Sequence, residues 1–236
     1  MIELNDFNAF PEVDFFLDME GNPTISSPNS CYQIAFYQTQ ESLMDTEVYK
    51  QFLKNSIQRF RHSVTYKHYK GFLMEMGLNR CQFMSNITTD LNADSKSKRD
   101  AITLEMHHSI LTIYDIGYMI CEHTLKTQGK INSFKLSELI RQEHILHNVP
   151  LCFLSLTPHQ LYHNDDNFYI SPKMVFGNWY DFINKYYMGI SQDIAFKIIF
   201  YLKRCMDEDG LSNDNKLLDL RNKIMDWSNC GAVVNF

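Results

Sequence analysis

The spacing of apolar residues along the chain predicts helices as its main element. Between 45 and 70, apolar residues recur three, four, seven and eight positions apart with basic residues between them, which indicates an amphipathic helix that begins after Asp45. The same period predicts five further helices, from about Tyr114 to Thr127, from Ser133, from Trp179, from Ser191 to Met206 and from Lys216 to Trp227. Gly129 is a suitable end for the first of these five.

Short apolar runs predict a few strands among these helices. The runs lie at 71–76, 102–107 and 151–156. A short helix over 157–163 should follow the last of them, with Thr157 as its N-cap and Pro158 at its first position. Residues 1–40 and 88–101 are rich in polar and turn-forming residues and are expected to be irregular. We therefore expect an α+β fold that is mainly helical.

Composition narrows the class of protein. The chain has 236 residues, of which 14% are aromatic, which is enough for a substantial core. Its six cysteines contain no CxxC pair, which argues against a disulfide framework and against a cysteine-ligated zinc. Residues 1–47 lack any Lys or Arg, so no signal peptide is visible, and no apolar run approaches the ~20 residues that a membrane span needs. A cytoplasmic protein without a membrane partner is expected.

The charges are strongly divided along the chain, although the formal net charge is only −6. Residues 1–47 hold nine acidic residues and no basic one, and residues 48–74 hold six basic residues and no acidic one. The basic set is Lys50, Lys54, Arg59, Arg61, Lys67 and Lys70. It is either an ordinary solvated helix face or a surface for sequence-independent contacts with DNA phosphates. The acidic arm 1–47 is either a plain extension or a segment that covers the basic helix or binds a protein partner.

Four histidines suggest a metal site. His159 and His163 are four residues apart, so on a helix both imidazoles leave the same face. His107 and His108 are adjacent on a predicted strand, so their side chains point to opposite faces. Imidazoles suit metals such as Zn, Ni, Mn or Fe. A further imidazole, not bound to the metal, has an ordinary pKa of about 6.5 and can accept a proton from water at neutral pH.

These histidine segments resemble the ββα-metal motif of the HNH endonucleases, a β-hairpin packed on one helix. LEMHH at 104–108 looks like the first strand, LCFLSL at 151–156 like the second, and TPHQLYH at 157–163 like the helix. The resemblance implies that His107, His159 and His163 bind one divalent metal ion, which could be Mg, Mn, Zn or Ni. It also implies that His108 is the general base, oriented by Asn148 in the loop before the second strand.

The wider frame, from about Tyr49 to Tyr187, is similar to HNH-like proteins of large bacteriophages. The pieces that carry this similarity are YKHYK at 66–70, NRC at 79–81, LEMHH at 104–108, LTIYD at 111–115, LTPHQLYHN at 156–164 and GNWYDF at 177–182. The chain departs from the usual motif in a long insert at 109–147, which is expected to form two helices. The implied organisation is an acidic arm at 1–47, an HNH-like domain at 48–187 and a helical extension at 188–236.

Two functions follow from this resemblance. The first is a phage-encoded, metal-dependent DNA endonuclease that acts in the host cytoplasm. The alternative is a catalytically inactive protein that keeps the HNH scaffold and serves as a structural, transcription-associated or host-interaction partner of the phage. The net acidity, the long insert and the additional terminal segments favour a partner role.

Overall fold

Helices make up most of the fold, as the apolar spacing predicted. The computed structural model describes residues 37–84, 103–165 and 168–228. Its elements in chain order are β1 (Gln38–Thr39), α1 (Thr46–His62), α2 (Val64–Glu75), β2 (Leu104–His108), α3 (Ile113–Gln128), β3 (Lys130–Ile131), α4 (Ser133–Ile145), β4 (Leu151–Ser155), α5 (Leu156–Asn164), α6 (Trp179–Lys185), α7 (Gln192–Asp209) and α8 (Asn215–Ser228). The α+β class with dominant helices is confirmed. Most of the predicted arm and the predicted loop 88–101 lie outside the described residues.

The long helix predicted over 45–70 is two helices that meet at Ser63. Asp45 caps α1 as predicted, because its carboxylate accepts from the backbone N–H groups of Glu47 and Val48. The extended backbone of Ser63 ends α1 (φ −67°, ψ 149°), and its hydroxyl accepts from the N–H of Tyr66 at 3.1 Å to cap α2. A serine hydroxyl competes in this way with helix continuation, and the apolar period alone does not reveal it.

The strand predicted at 71–76 was wrong, since α2 continues to Glu75. Leu73 is buried whereas Phe72 and Met76 are exposed, which is a helical rather than an alternating pattern of burial. A short apolar run does not distinguish strand from helix by itself. The helix predicted at 157–163 does form, but its first residue is Leu156 instead of Pro158, and Ser155 instead of Thr157 occupies the N-cap position.

The two longer strands form an antiparallel pair in which β4 is central. His107 on β2 lies opposite Cys152 on β4, and His108 lies opposite Leu151. All five residues of β4 are buried. Its other edge is bonded to the chain at Gln82, whose N–H donates to the carbonyl of Phe153 at 2.8 Å, and to Phe176, which forms a bridge with Leu151. Helix α5 packs against both strands. Together with the contacts at the other edge of β4, this packing holds the strand pair in place and so fixes the position of the histidines at the end of β2.

The main core lies where α1, α3 and α4 contact one another. A capping box between Thr112 and Asp115 begins α3, and Gly129 in the left-handed conformation (φ 76°) ends it as predicted. The turn at Gly189 crosses α3 so closely that a Cβ there would lie 2.0 Å from the carbonyl oxygen of Met119. No helix among the described residues is long and apolar enough to cross a bilayer.

Candidate metal centre

The three predicted ligands meet between β2 and α5. His107 leaves the face of β2 that α5 covers, and His159 and His163 leave the face of α5 that turns towards β2. Tyr162 packs beside them, with its ring centroid 4.2 Å from that of His107. Helix α5 begins directly after β4, with no loop between them, and this keeps the helix on the sheet. The three imidazoles therefore converge although His107 and His159 are 52 positions apart in the chain.

The three rings form a compact corner. Their centroids lie 5.2 Å apart for His107 and His159, 5.0 Å for His107 and His163, and 4.8 Å for His159 and His163. The ring planes are nearly perpendicular to one another, at 79°, 79° and 86°. One nitrogen from each ring lies within 4.8 Å of the others. Tetrahedral zinc, with Zn–N bonds of about 2.0–2.1 Å, would bring these nitrogens to about 3.3 Å, so binding requires a modest inward rotation of the rings.

The electrostatics keep His107 available as a ligand. Burial, followed by the neighbouring imidazoles of His159 and His163, lowers the pKa of His107 to about 3. The ring is therefore neutral at neutral pH and retains a lone pair. Its Nε2 atom is buried and has no hydrogen-bond partner among the described residues. An unsatisfied buried nitrogen costs free energy, and a metal ion at the centre of the three rings would satisfy it.

An acidic residue lies at the edge of the same cluster. Glu105 is two residues before His107 on β2, so both side chains lie on the same face of the strand. Its Oε2 lies 3.1 Å from Nδ1 of His159. Because a carboxylate accepts and does not donate, a hydrogen bond across this contact requires the proton on Nδ1 of His159 and would leave Nε2 for a metal.

His108 does not join this cluster. It points to the opposite face of β2, where it is 7% exposed and its Nε2 lies 2.9 Å from Nε2 of His144. Nδ1 of His144 donates to the carbonyl of Ile140 at 2.7 Å, so Nε2 of His144 is the acceptor and His108 is the donor. Burial lowers the pKa of His108 well below its ordinary value and that of His144 to about 4.

Asn148 is engaged away from the predicted base. Its side-chain amide donates to Oε2 of Glu143 at 2.7 Å. The other oxygen of this buried carboxylate accepts from Nζ of Lys185 at 2.6 Å and from the hydroxyl of Tyr186 at 2.7 Å. Asn148 thus belongs to a polar network that joins the end of α4 to α6.

The six basic residues divide between two helices. Lys50, Lys54 and Arg61 share one side of α1, since their spacing of four and seven residues returns to the same face. Lys50 pairs with Glu47 at 2.8 Å, and the guanidinium of Arg59 lies 3.7 Å from the ring centroid of Phe134 on a different side. Lys67 and Lys70 belong to α2. Contact of this set with DNA stays a prediction, as does a partner role for the acidic arm.

Comparison with known families identifies the kind of protein that carries this site. A family model described as bacteriophage G278-like virion protein matches residues 10–230. The chain belongs to this family. No curated protein and no solved structure gives a match.

The resemblance to HNH endonucleases was therefore wrong, because the family that spans nearly the whole chain is a virion family. The phage origin that the resemblance implied agrees with this family, but the nuclease assignment does not. The roles of His108 as general base and of Asn148 as its orienting residue were implied by that resemblance and lose their support with it. The convergence of His107, His159 and His163 is independent of it, since it rests on the geometry of β2 and α5.

Sequence reasoning missed two residues that decide how these histidines behave. His144 accepts the hydrogen bond that His108 donates. The sequence feature that could have revealed this residue is its spacing of four residues from Ile140, which places an imidazole in the apolar stripe of α4. Glu105 contacts His159 from the position two before His107, where strand alternation puts it on the same face. Both contacts depend on how the elements pack, which one sequence does not show.

Proposed function

We propose that this virion protein is a structural component of the phage particle and that it binds one transition-metal ion through His107, His159 and His163. The virion family supports the structural role. The observation that carries the metal is the convergence of three imidazoles, together with the buried Nε2 of His107, which has no hydrogen-bond partner among the described residues. In this role the ion joins strand β2 to helix α5, two elements that are far apart in the chain.

The donor set favours particular metals. Three neutral imidazole nitrogens suit Zn, Ni, Cu or Co, whereas Mg and Ca prefer oxygen ligands. His163 is exposed and His159 is partly exposed, so the cluster lies at the surface and a fourth ligand from solvent or from a neighbouring protein can reach it. We therefore propose zinc or a similar borderline metal and not magnesium.

Metal binding to the purified full-length chain tests this proposal. After removal of bound metal with EDTA and dialysis, titration with Zn²⁺ should give one equivalent per chain, and Mg²⁺ should not compete. His159→Ala and His163→Ala should each abolish stoichiometric binding, because two imidazoles hold zinc far more weakly than three. Both side chains are at least partly exposed, so these variants should fold.

His68→Ala is the matched control, since His68 is an exposed helical histidine outside the cluster. It should bind zinc like the wild type. Zinc binding that survives in both cluster variants would contradict the assignment, and so would a wild-type chain that binds none. The structural role has its own test, because a component of the particle should remain with purified virions through a high-salt wash, whereas a protein made only for the infected cell should be absent from them.

A further inference from the structure

We infer that Glu105 is a positioning residue for the metal centre, which selects the nitrogen that His159 offers to the ion. The inference rests on the proposed metal site and assigns a role to a residue outside the ligand set. Its basis is the contact of 3.1 Å between Oε2 of Glu105 and Nδ1 of His159. A histidine that binds a metal through one nitrogen commonly donates its other N–H to a carboxylate, and this partner sets the tautomer and the ring orientation.

The geometry explains why this contact matters for His159 in particular. A neutral imidazole carries its proton on either nitrogen, and a metal binds only the nitrogen without it. The carboxylate of Glu105 accepts a hydrogen bond only when the proton is on Nδ1. It therefore favours the tautomer in which Nε2 is free, and Nε2 is the more distant of the two nitrogens from Glu105 on the ring.

The fold supplies this carboxylate without a separate element. Glu105 and His107 alternate on one face of β2, so the strand that provides a ligand also provides the residue that orients a second ligand on α5. The carboxylate is 44% exposed and the imidazole of His159 is 23% exposed, so the contact lies at the surface end of the cluster. Its negative charge also offsets part of the charge of a divalent ion.

Glu105→Gln removes the charge and keeps the size of the side chain. We expect zinc to bind this variant 10- to 100-fold more weakly, the usual consequence of losing such a partner. Glu105→Asp retains a carboxylate and should recover part of the affinity. Glu208→Gln is the control, because Glu208 is 45% exposed and also forms an ion pair, with Arg204 on α7, and neither residue contacts the three histidines in an ion pair or hydrogen bond among the described residues.

Nitrogen-15 NMR of the imidazoles provides a second readout that a general effect on stability would not change. In the metal-free wild type, His159 should be in the Nδ1–H tautomer, and Glu105→Gln should reduce this preference. Equal zinc affinity in wild type and Glu105→Gln would overturn the role of Glu105 while leaving the metal site intact, and so would an Nε2–H tautomer in the wild type. A wild-type chain that binds no zinc would overturn both proposals.

Discussion

His107 and His108 are neighbours in sequence and opposites in environment. Both are 7% exposed on the same strand, and burial lowers the pKa of both. The ring of His107 lies beside two other imidazoles, and its Nε2 has no hydrogen-bond partner among the described residues, whereas Nε2 of His108 donates to His144. Burial alone therefore does not distinguish a ligand from a structural histidine. The difference lies in whether the ring nitrogen is already satisfied within the protein.

The two faces of β2 therefore differ in the hydrogen bonding of their histidines. On the side of α4, His108 and His144 are hydrogen-bonded to each other and His144 also donates to Ile140. Aromatic rings surround His144, with the ring of Phe60 centred 4.5 Å from it. On the side of α5, the rings of His107, His159 and His163 contact one another edge to face without such a bond. The first group should contribute to stability in the metal-free protein, and the second should contribute mainly when metal is present.

The largest expected effect comes from the face of β2 on which His108 is hydrogen-bonded to His144. His144→Ala removes a fully buried ring, leaves the N–H of His108 without an acceptor and creates a cavity beside Phe60. We expect the free energy of unfolding to fall by about 3 kcal/mol. Urea denaturation in EDTA measures it.

His163→Ala is the matching change on the other face. Because His163 is exposed, the metal-free variant should stay within about 0.5 kcal/mol of wild type. Similar losses for the two variants would remove the contrast between the two faces of β2.

The second prediction concerns the face that lacks internal partners. An ion that binds only the folded chain stabilises it by about 2.7 kcal/mol when its free concentration is 100 times the dissociation constant. At this zinc concentration the free energy of unfolding of the wild type should rise by this amount, and that of His163→Ala should hardly change. His68→Ala should gain as much as wild type. An equal gain in His163→Ala would show that zinc acts elsewhere on the chain.

Whether a feature of the fold could be predicted from the sequence depended on whether the interactions behind it are local in the chain. The helices and the two longer strands follow from apolar periods, and caps such as Asp45 and Gly129 follow from local chemistry. The break at Ser63 and the helical state of 71–75 were not predicted, because each depends on a hydrogen bond or a packing contact that competes with the local pattern. Strand pairing was anticipated only through a family resemblance that proved wrong, although β2 and β4 do pair.

The candidate site was predictable to a similar degree. The spacing of His159 and His163 on one helix face is a local property and was recognised from sequence alone. Alternation along β2 separated His107 from His108, but it did not show which one faces α5. The structure makes that choice because α4 and α5 pack on opposite sides of the strand, and because His144 on α4 supplies a buried hydrogen-bond partner for His108.

The effect that is smallest for a change of one pH unit is a dependence of stability on pH that originates on the α4 side. The folded-state pKa of His144 is about 4, because burial outweighs the opposing influences of the Ile140 carbonyl and Glu143, whereas an unfolded histidine titrates at about 6.5. Between these values the unfolded chain binds a proton that the folded chain does not. The contribution of His144 is therefore complete above about pH 6.5 and is lost as the pH falls towards 4, by about 1.4 kcal/mol per pH unit. In EDTA, His144→Gln should flatten the stability profile of this window by that slope, and His68→Gln should not. If the two variants gave parallel profiles, proton uptake by the buried pair would have no part in acid unfolding.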